Sequence, residues 1–340
     1  MTKKIIIIIP YFGKLLEYFP LWLKTAGFNT QFNWLLFLDD KTHYDFPENI
    51  QVEYTSFQAI KEHIISKFDF EISLETPYKL CDFKPAYGYI FNEYIKGYDF
   101  WGYGDIDLLY GNLSNFITDD LLAGYDRILP RGHLSLFRNN ETMNKAFIFK
   151  SEKYPDYKQV FSSVRSFAFD EHGGVTPVLK EKGYKQYNEN IMADIHFTKF
   201  KLYTSTGGGI KNYRNQFFIL HNGTILGIYN KSNSKKYEEF PYIHMQKRKM
   251  KLVHSAEIYN NANVIVLLPY CFEIFSDSIF IGNNIKQDAA DRLINQFKKY
   301  NYNIFEWCIF YMRVIKKRLN NLREKILVSN PSGLPFIRRV

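Results

Sequence analysis

Short apolar runs alternate with amphipathic segments along the first hundred residues. Residues 5–9 are five consecutive isoleucines, and residues 34–38 read Trp-Leu-Leu-Phe-Leu. Unbroken runs of this length, rich in β-branched or aromatic residues, are typical of strands covered on both faces. The same patterns predict strands at 50–54 and 98–103 and helices at 15–26, 57–68 and 85–96. The alternation predicts an α/β fold with a Rossmann-like, mixed and mainly parallel sheet flanked by helices.

The predicted sheet has a binding edge. Right-handed crossovers bring the loops after residues 9, 38 and 103 to one side, where ligands bind in open α/β folds. Beyond residue 120 the pattern is less regular, with strands near 127–130, 217–220, 225–229 and 264–268 and helices near 141–149 and 176–182. The polar residues 282–284 mark the end of this unit. We therefore predict a domain over residues 1–283 and a helical tail over residues 284–340.

The tail carries most of the charge. Residues 286–340 contribute +8 of the net +9, so the rest of the chain is nearly neutral. Apolar residues recur at helical spacing in two tail segments: Ala289, Leu293, Ile294, Phe297 and Tyr300, then Ile304, Cys308, Tyr311, Ile315, Leu319, Leu322 and Ile326. A basic amphipathic helix suits an anionic membrane surface, and the alternative is packing on the protein body or a second subunit. Without a recognisable reading motif, no nucleic-acid partner is expected.

Two absences set the expected location. The isoleucine run ends at Pro10, too early for a secretory signal, and no window holds the roughly 20 apolar residues of a membrane span. The three cysteines, Cys81, Cys271 and Cys308, lack metal-type spacing and are expected as reduced thiols. We expect a cytoplasmic protein whose tail binds the inner face of the cell membrane.

The main chemical signal is Asp105-Ile106-Asp107, at the end of the strand predicted at 98–103. Period-two alternation puts both carboxylates on one side of an extended segment, and paired oxygen ligands suit Mn²⁺ or Mg²⁺. His244 offers a third ligand, and Lys247 and Arg248 could neutralise a diphosphate. The alternatives are solvated or capping carboxylates, a core histidine and a solvated basic face.

Three further segments carry candidate residues. Asp82 and Lys84 lie at the start of a predicted helix. One interpretation is that they face an anionic or sugar ligand, and the alternative is that they cap the helix. Asp170 and Glu171 precede two glycines and could act as acid or base on a sugar hydroxyl, or belong to a charged turn. The run Arg131-Gly132-His133 follows a predicted strand.

Five runs in order resemble a known family: YKLCDFKPAYG, WGYGDIDLLYGNL, RGHLSLFRN, FDEHGG and YIHMQKRKM. Over roughly residues 4–275 the chain resembles an uncharacterised bacterial group of glycosyltransferases encoded with capsule and exopolysaccharide genes. More broadly it is similar to the GT-A fold of nucleotide-sugar transferases, with the layout of the retaining lipo-oligosaccharide galactosyltransferases and glycogenin. Their late H-x-x-G-x-x-K motif is replaced here by H-x-x-K, without the glycine.

The resemblance implies a role for each candidate residue. Asp105 and Asp107 would be metal and ribose ligands, His244 the third metal ligand and Lys247 the diphosphate contact. Asp39 or Asp40, after the second strand, would lie near the nucleotide base. Asp82 and Lys84 would face the donor sugar. Asp170 and Glu171 would lie where inverting relatives have a catalytic base and retaining relatives have acceptor contacts.

Together these features predict a Mn²⁺- or Mg²⁺-dependent hexosyltransferase. It would move a sugar from a nucleotide sugar, most simply a UDP-sugar, to a lipid-linked or other saccharide acceptor in bacterial surface-polysaccharide synthesis. One alternative is a sugar nucleotidyltransferase, although Pro10-Tyr11-Phe12-Gly13 does not fit its glycine-rich phosphate loop. Another is a non-catalytic, membrane-bound protein that binds carbohydrate or supports assembly. The oligomeric state is left open.

Overall fold

The five isoleucines lie at the centre of the main sheet. In the computed structural model, which describes residues 2–205, 212–213, 215–231, 234–246, 248–275, 280–281, 284–285 and 287–328, this sheet has seven strands in the order β3-β2-β1-β4-β7-β6-β8. The strands are β1 Ile5–Tyr11, β2 Phe32–Leu38, β3 Ile50–Tyr54, β4 Phe100–Gly104, β6 Arg127–Ile128, β7 Leu134–Arg138 and β8 Gln186–Tyr187. The first four run parallel, and β7 is antiparallel to both of its neighbours. The predicted mixed α/β architecture is confirmed.

The isoleucine run divides between the two faces of the sheet. Ile5, Ile7 and Ile9 belong to one buried cluster, which includes side chains of the first helix. Ile6 and Ile8 belong to a second cluster on the other face, which includes side chains of the second helix. Because both faces of β1 are buried, polar side chains would be unfavourable at these positions, which explains the unbroken apolar run.

Two smaller sheets and a two-stranded pair complete the strand framework of the described residues. A six-stranded sheet contains β10 Phe217–His221, β11 Thr224–Lys231, β12 Ser234–Phe240, β14 Lys251–Leu252, β15 Val264–Leu267 and β16 Cys271–Phe275. A three-stranded sheet contains β5 Leu108–Tyr110, β9 Ala193–Asp194 and β13 Tyr242–His244, with β13 in the middle. A short pair is formed by β17 Phe280–Ile281 and β18 Asn284–Ile285. The three-stranded sheet matters most for function because it joins the segment after β4 to His244.

Eleven α-helices occur in the described part of the chain: α1 Phe19–Gly27, α2 Phe57–Ser66, α3 Leu80–Phe83, α4 Tyr87–Ile90, α5 Asp119–Gly124, α6 Glu141–Asn144, α7 Tyr157–Phe161, α8 Val175–Glu181, α9 Ala256–Asn261, α10 Gln287–Asn301 and α11 Ile304–Val328. Short 3₁₀ turns occupy Pro77–Lys79, Lys84–Ala86, Leu113–Asn115 and Ala146–Ile148.

The helix predicted over 85–96 is reduced to the single turn of α4. Pro85 lies in the 3₁₀ turn that precedes α4, and Gly88 packs so tightly on the Trp101 indole that a Cβ there would lie 2.3 Å from the ring.

The predicted boundary at residue 283 does not separate the whole tail from the body. Leu293 and Phe297 of α10 are buried in the cluster formed by one face of the six-stranded sheet. The helix α11 is attached through Glu306, whose carboxylate lies 2.5 Å from Lys251 Nζ, and through Phe310, which packs on Phe200. The side chains of Ala289, Ile294, Leu322 and Ile326 lie outside the described part of the chain.

Candidate functional site

A pocket of about 710 Å³ opens where the main and three-stranded sheets meet. Its lining includes the last two residues of β1 with Phe12, Asp105 and Asp107 after β4, and segments around residues 132, 170 and 244. This volume is typical of small-molecule sites. Of the three segments predicted to share one edge of the sheet, those after residues 9 and 103 line the pocket, whereas the loop after residue 38 does not.

Backbone pairing brings Asp105, Asp107 and His244 together. Strands β5 and β13 are antiparallel with Leu108 opposite His244, and the Met245 N–H donates to the Asp107 carbonyl at 2.9 Å. His244 Nε2 consequently lies 3.7 Å from Asp107 Oδ1. One potential ligand atom from each of the three predicted residues lies within 4.8 Å of the others. Two carboxylates and one imidazole are a suitable ligand set for Mn²⁺. The remaining coordination positions could be filled by oxygen atoms of a molecule bound in the pocket.

The orientation of His244 is set by Asp194. His244 Nδ1 lies 2.9 Å from Asp194 Oδ1, and Gln246 Nε2 donates to the same oxygen at 2.6 Å. Burial lowers the pKa of His244, but the hydrogen bond to Asp194 and the nearby Asp107 charge outweigh it and raise the pKa. With Nδ1 bonded to Asp194, Nε2 is turned toward Asp107. A carboxylate that orients a histidine in this way is common beside metal ions.

Asp194 and His133 are functional candidates that sequence reasoning did not assign. Asp194 ends β9, a strand of two residues that pairs in parallel with β13. The His133 ring centroid lies 4.2 Å from that of His244. Burial, followed by the neighbouring His244, holds the pKa of His133 well below its usual range. The sequence analysis noted the run Arg131-Gly132-His133 but assigned His133 no role. Nothing in the sequence around Asp194 indicates a role for that residue.

Lys84 lies inside the pocket as an internal cation. Its Nζ lies 2.7 Å from Asp105 Oδ1, 2.6 Å from the Gly132 carbonyl and 3.8 Å from Asp170 Oδ2. Burial lowers the pKa of Lys84, but Asp105 and Asp170 outweigh this effect and raise the pKa well above its usual value. Lys84 therefore links the candidate metal ligands to the predicted acid–base pair.

Asp170 and Glu171 both line the pocket but differ in environment. Asp170 is 5% exposed, and burial is the main reason that its pKa is raised to about 7, against the opposing charge of Lys84. Its carbonyl accepts hydrogen bonds from Arg127 and Tyr103, which fix the backbone. Glu171 Oε1 accepts the Gly132 N–H at 2.8 Å. A buried carboxyl with a pKa near neutrality is well suited to proton transfer, and Asp170 is the better candidate.

Asp82 does not face the pocket, and the prediction that it contacts a donor sugar is wrong. Its carboxylate is fully buried, pairs with Lys79 Nζ at 2.8 Å, and accepts the N–H groups of Phe167 and Phe169 at 3.1 Å. These bonds hold the segment that leads to Asp170. Asp82 is therefore a structural residue behind the site.

We expect Asp82→Ala to lower the free energy of unfolding by about 3–5 kcal/mol, because Lys79 would be left buried without its carboxylate. Urea denaturation followed by circular dichroism measures the change. Asp69→Ala is the matched control, since that carboxylate is 90% exposed and lies 3.9 Å from Lys158; we expect no measurable change. Equal stability of the two variants would contradict the structural role of Asp82.

Arg248 also lies away from the pocket, so its predicted diphosphate contact is wrong. Its guanidinium donates to the carbonyls of Phe200 at 2.6 Å and Pro269 at 2.8 Å, and packs 4.8 Å from the Phe310 ring centroid. Burial lowers the pKa of Arg248 to about 10. The residue thus joins the loop before β14 to α11. Lys247, the other predicted diphosphate contact, lies outside the described residues.

Asp39 and Asp40 shape the loop after β1 and do not line the pocket. Asp39 Oδ1 accepts the Gly13 N–H at 2.7 Å, and Asp40 Oδ2 accepts the Leu15 N–H at 3.0 Å. The Leu15 hydrogen bond, with those from Thr42, lowers the pKa of Asp40. Their contact with a nucleotide base stays a prediction. The structure shows that both carboxylates position the segment that directly follows the pocket-lining residues 10–12.

The fold and pocket define a mixed α/β protein with a candidate divalent-cation centre where two of its sheets meet. The chain belongs to a family of unknown function (DUF6625), which matches residues 7–273. No curated protein matches the sequence. The matched region includes every pocket residue named above and ends before α10 and α11.

Proposed function

We propose that the protein is a metal-dependent glycosyltransferase that moves a hexose from a nucleotide sugar, in the first instance a UDP-sugar, to a saccharide or lipid-linked acceptor. The observation that carries this proposal is the convergence of Asp105, Asp107 and His244 on one pocket that also contains Asp170. Parallel strands in the order β3-β2-β1-β4, with the carboxylates directly after β4, support a GT-A-like arrangement. Surface-polysaccharide synthesis is the biological setting that the sequence resemblance implies.

The pocket residues would divide the chemistry among them. Asp105, Asp107 and His244 would hold a Mn²⁺ or Mg²⁺ ion, which neutralises charge on a departing nucleoside diphosphate. Lys84 keeps Asp105 in place through their ion pair. Asp170 would accept the proton of the attacking hydroxyl in an inverting reaction, and would contact the acceptor in a retaining one.

A transfer assay tests the proposal. The protein is incubated with a panel of UDP-hexoses, Mn²⁺ and a bacterial lipid extract as the acceptor source, and UDP release and sugar incorporation are both measured. We expect transfer that EDTA removes and added Mn²⁺ restores. Turnover that is unaffected by EDTA would contradict the proposed use of a metal ion.

The exposed side of α11 supports a membrane location for the acceptor. Ile304 is 78% exposed, and Ile315 and Leu319 are more than half exposed, although all three are apolar. Basic residues border them at Arg313, Lys316 and Arg318.

Lys317, on the same helix, lines the pocket. Within the described residues, no helix is both long enough and apolar enough to cross a membrane. We propose that α11 lies on an anionic bilayer and brings the pocket to a lipid-linked acceptor.

We expect Ile315→Gln combined with Leu319→Gln to weaken binding to phosphatidylglycerol vesicles by at least about tenfold, because two apolar side chains would no longer enter the interface. Vesicle co-sedimentation measures the change. Val164→Gln is the matched control, since Val164 is an exposed apolar residue that does not belong to the tail sequence. Unchanged vesicle binding combined with a change in oligomeric mass would instead show that α11 packs on a second subunit.

A further inference from the structure

Three side chains beside the Asp105–Asp107 pair come from three separate segments. His133 directly precedes β7, Asp194 ends β9 and His244 ends β13. Asp194 and His244 are partners in the parallel pairing of their strands, and the His133 carbonyl accepts the Asp105 N–H at 2.9 Å. One potential ligand atom from each of His133, Asp194 and His244 lies within 4.8 Å of the others. The framework thus gathers two imidazoles and a carboxylate around one point.

His133 has a polar atom without a partner. The residue is 8% exposed, and its Nδ1 makes no hydrogen bond within the described part of the chain. Buried polar atoms in proteins are nearly always paired. The buried His133 imidazole has an unpaired nitrogen and lies beside a second imidazole and a carboxylate, so it is well placed to bind a ligand from outside the chain.

We infer that His133, Asp194 and His244 form a second cation position, which selects a transition-metal ion of the Zn²⁺ class over Mg²⁺. Zinc sites in proteins combine imidazole nitrogens with carboxylates, and sites with three protein ligands keep a further position open. Mg²⁺ prefers oxygen ligands and retains several of its water molecules. The first position contains two carboxylates and one imidazole, so the two positions differ in metal preference.

The two positions share His244 and therefore compete. His244 Nδ1 lies 2.9 Å from Asp194 Oδ1, whereas Nε2 lies 3.7 Å from Asp107 Oδ1. A neutral imidazole has one nitrogen with a free lone pair, and the other carries hydrogen. An ion bound on the Asp194 side uses Nδ1 and leaves hydrogen on the nitrogen that faces Asp107. Zn²⁺ should therefore weaken Mn²⁺ binding, with no nucleotide required for the effect.

Calorimetric titration of the EDTA-treated full chain with Zn²⁺, and separately with Mn²⁺, tests this inference. We expect His133→Gln to lower the Zn²⁺ affinity at least tenfold and to change the Mn²⁺ affinity less than about threefold, whereas Asp105→Asn with Asp107→Asn should do the reverse. His43→Gln is the matched control because its side chain is 94% exposed. His133→Asn provides a second replacement should the first fail to fold.

Two results would overturn the inference. One is wild-type Zn²⁺ affinity in both His133 variants, and the other is loss of Zn²⁺ binding in the Asp105/Asp107 variant with Mn²⁺ binding intact. Because these titrations contain no nucleotide, their outcome is separate from that of the sugar-transfer assay.

Discussion

Asp107→Asn is expected to lower the rate of sugar transfer by about 10³-fold while leaving the fold intact. The substitution keeps the shape of the side chain but removes the negative charge of a buried candidate ligand that lies 3.7 Å from His244 Nε2. Stabilisation of a leaving group by a metal ion amounts to several kcal/mol, and each 1.4 kcal/mol corresponds to about tenfold in rate. Steady-state kinetics at saturating Mn²⁺ measure the loss.

Asp45→Asn is the matched control for this change. The Asp45 side chain is fully exposed and lies on the loop after β2, so we expect its variant to retain wild-type turnover. Circular dichroism should give the same spectrum for both variants and the wild type. Full turnover in Asp107→Asn, with the same Mn²⁺ dependence as the wild type, would show that the cation does not bind where we propose.

Asp170→Asn is expected to lower kcat by about 10²–10⁴-fold if Asp170 is the general base. A base must be deprotonated to act, and the pKa of Asp170 is raised to about 7, chiefly by burial. For the wild type, kcat/KM should therefore rise about tenfold per pH unit up to about pH 7 and level off above it. The variant should lose this dependence.

Glu171→Gln is the comparison for the role of Asp170. The Glu171 carboxylate already accepts the Gly132 N–H, so we expect a smaller loss and an unchanged pH profile. If Asp170→Asn retains kcat within about threefold and keeps the wild-type pH profile, Asp170 is not the base. Determination of the product anomer by NMR would then show whether the reaction is retaining, in which case no such base is needed.

The main sheet could be predicted because its strands carry a strong local signal. Residues 5–9 and 34–38 are apolar throughout, since both faces of β1 and β2 are covered. The helix predicted over 85–96 is only one turn long in the structure, although Phe91 and Ile95 beyond its end are buried as the apolar pattern implies. Periodicity shows which residues are buried, but not the backbone conformation that buries them.

The candidate metal ligands were also predictable, whereas the residues around them were not. Asp105 and Asp107 are close in sequence and His244 belongs to a distinctive run, so both halves of the site could be found. Asp194 depends on the pairing of a two-residue strand, which no local pattern indicates.

The error over Arg248 has a backbone cause. Gln246 has a φ of +48°, in the left-handed region, so the chain turns sharply between His244 and Arg248. Residues so close in sequence were expected to share one site, but the turn sends Arg248 to the carbonyls of Phe200 and Pro269. The error over Asp82 similarly reflects a tertiary contact, its buried pairing with Lys79.

Calorimetric titration with UDP, in the presence and absence of Mn²⁺, tests most directly whether the pocket is a metal–nucleotide site. The wild type is compared with Asp105→Ala combined with Asp107→Ala, and circular dichroism verifies that both are folded. We predict that UDP binds in the presence of Mn²⁺ and that its affinity falls at least tenfold with EDTA or in the variant. Failure of UDP, GDP and CDP to bind the folded wild-type protein would contradict the proposed transferase and favour a non-catalytic carbohydrate-binding protein.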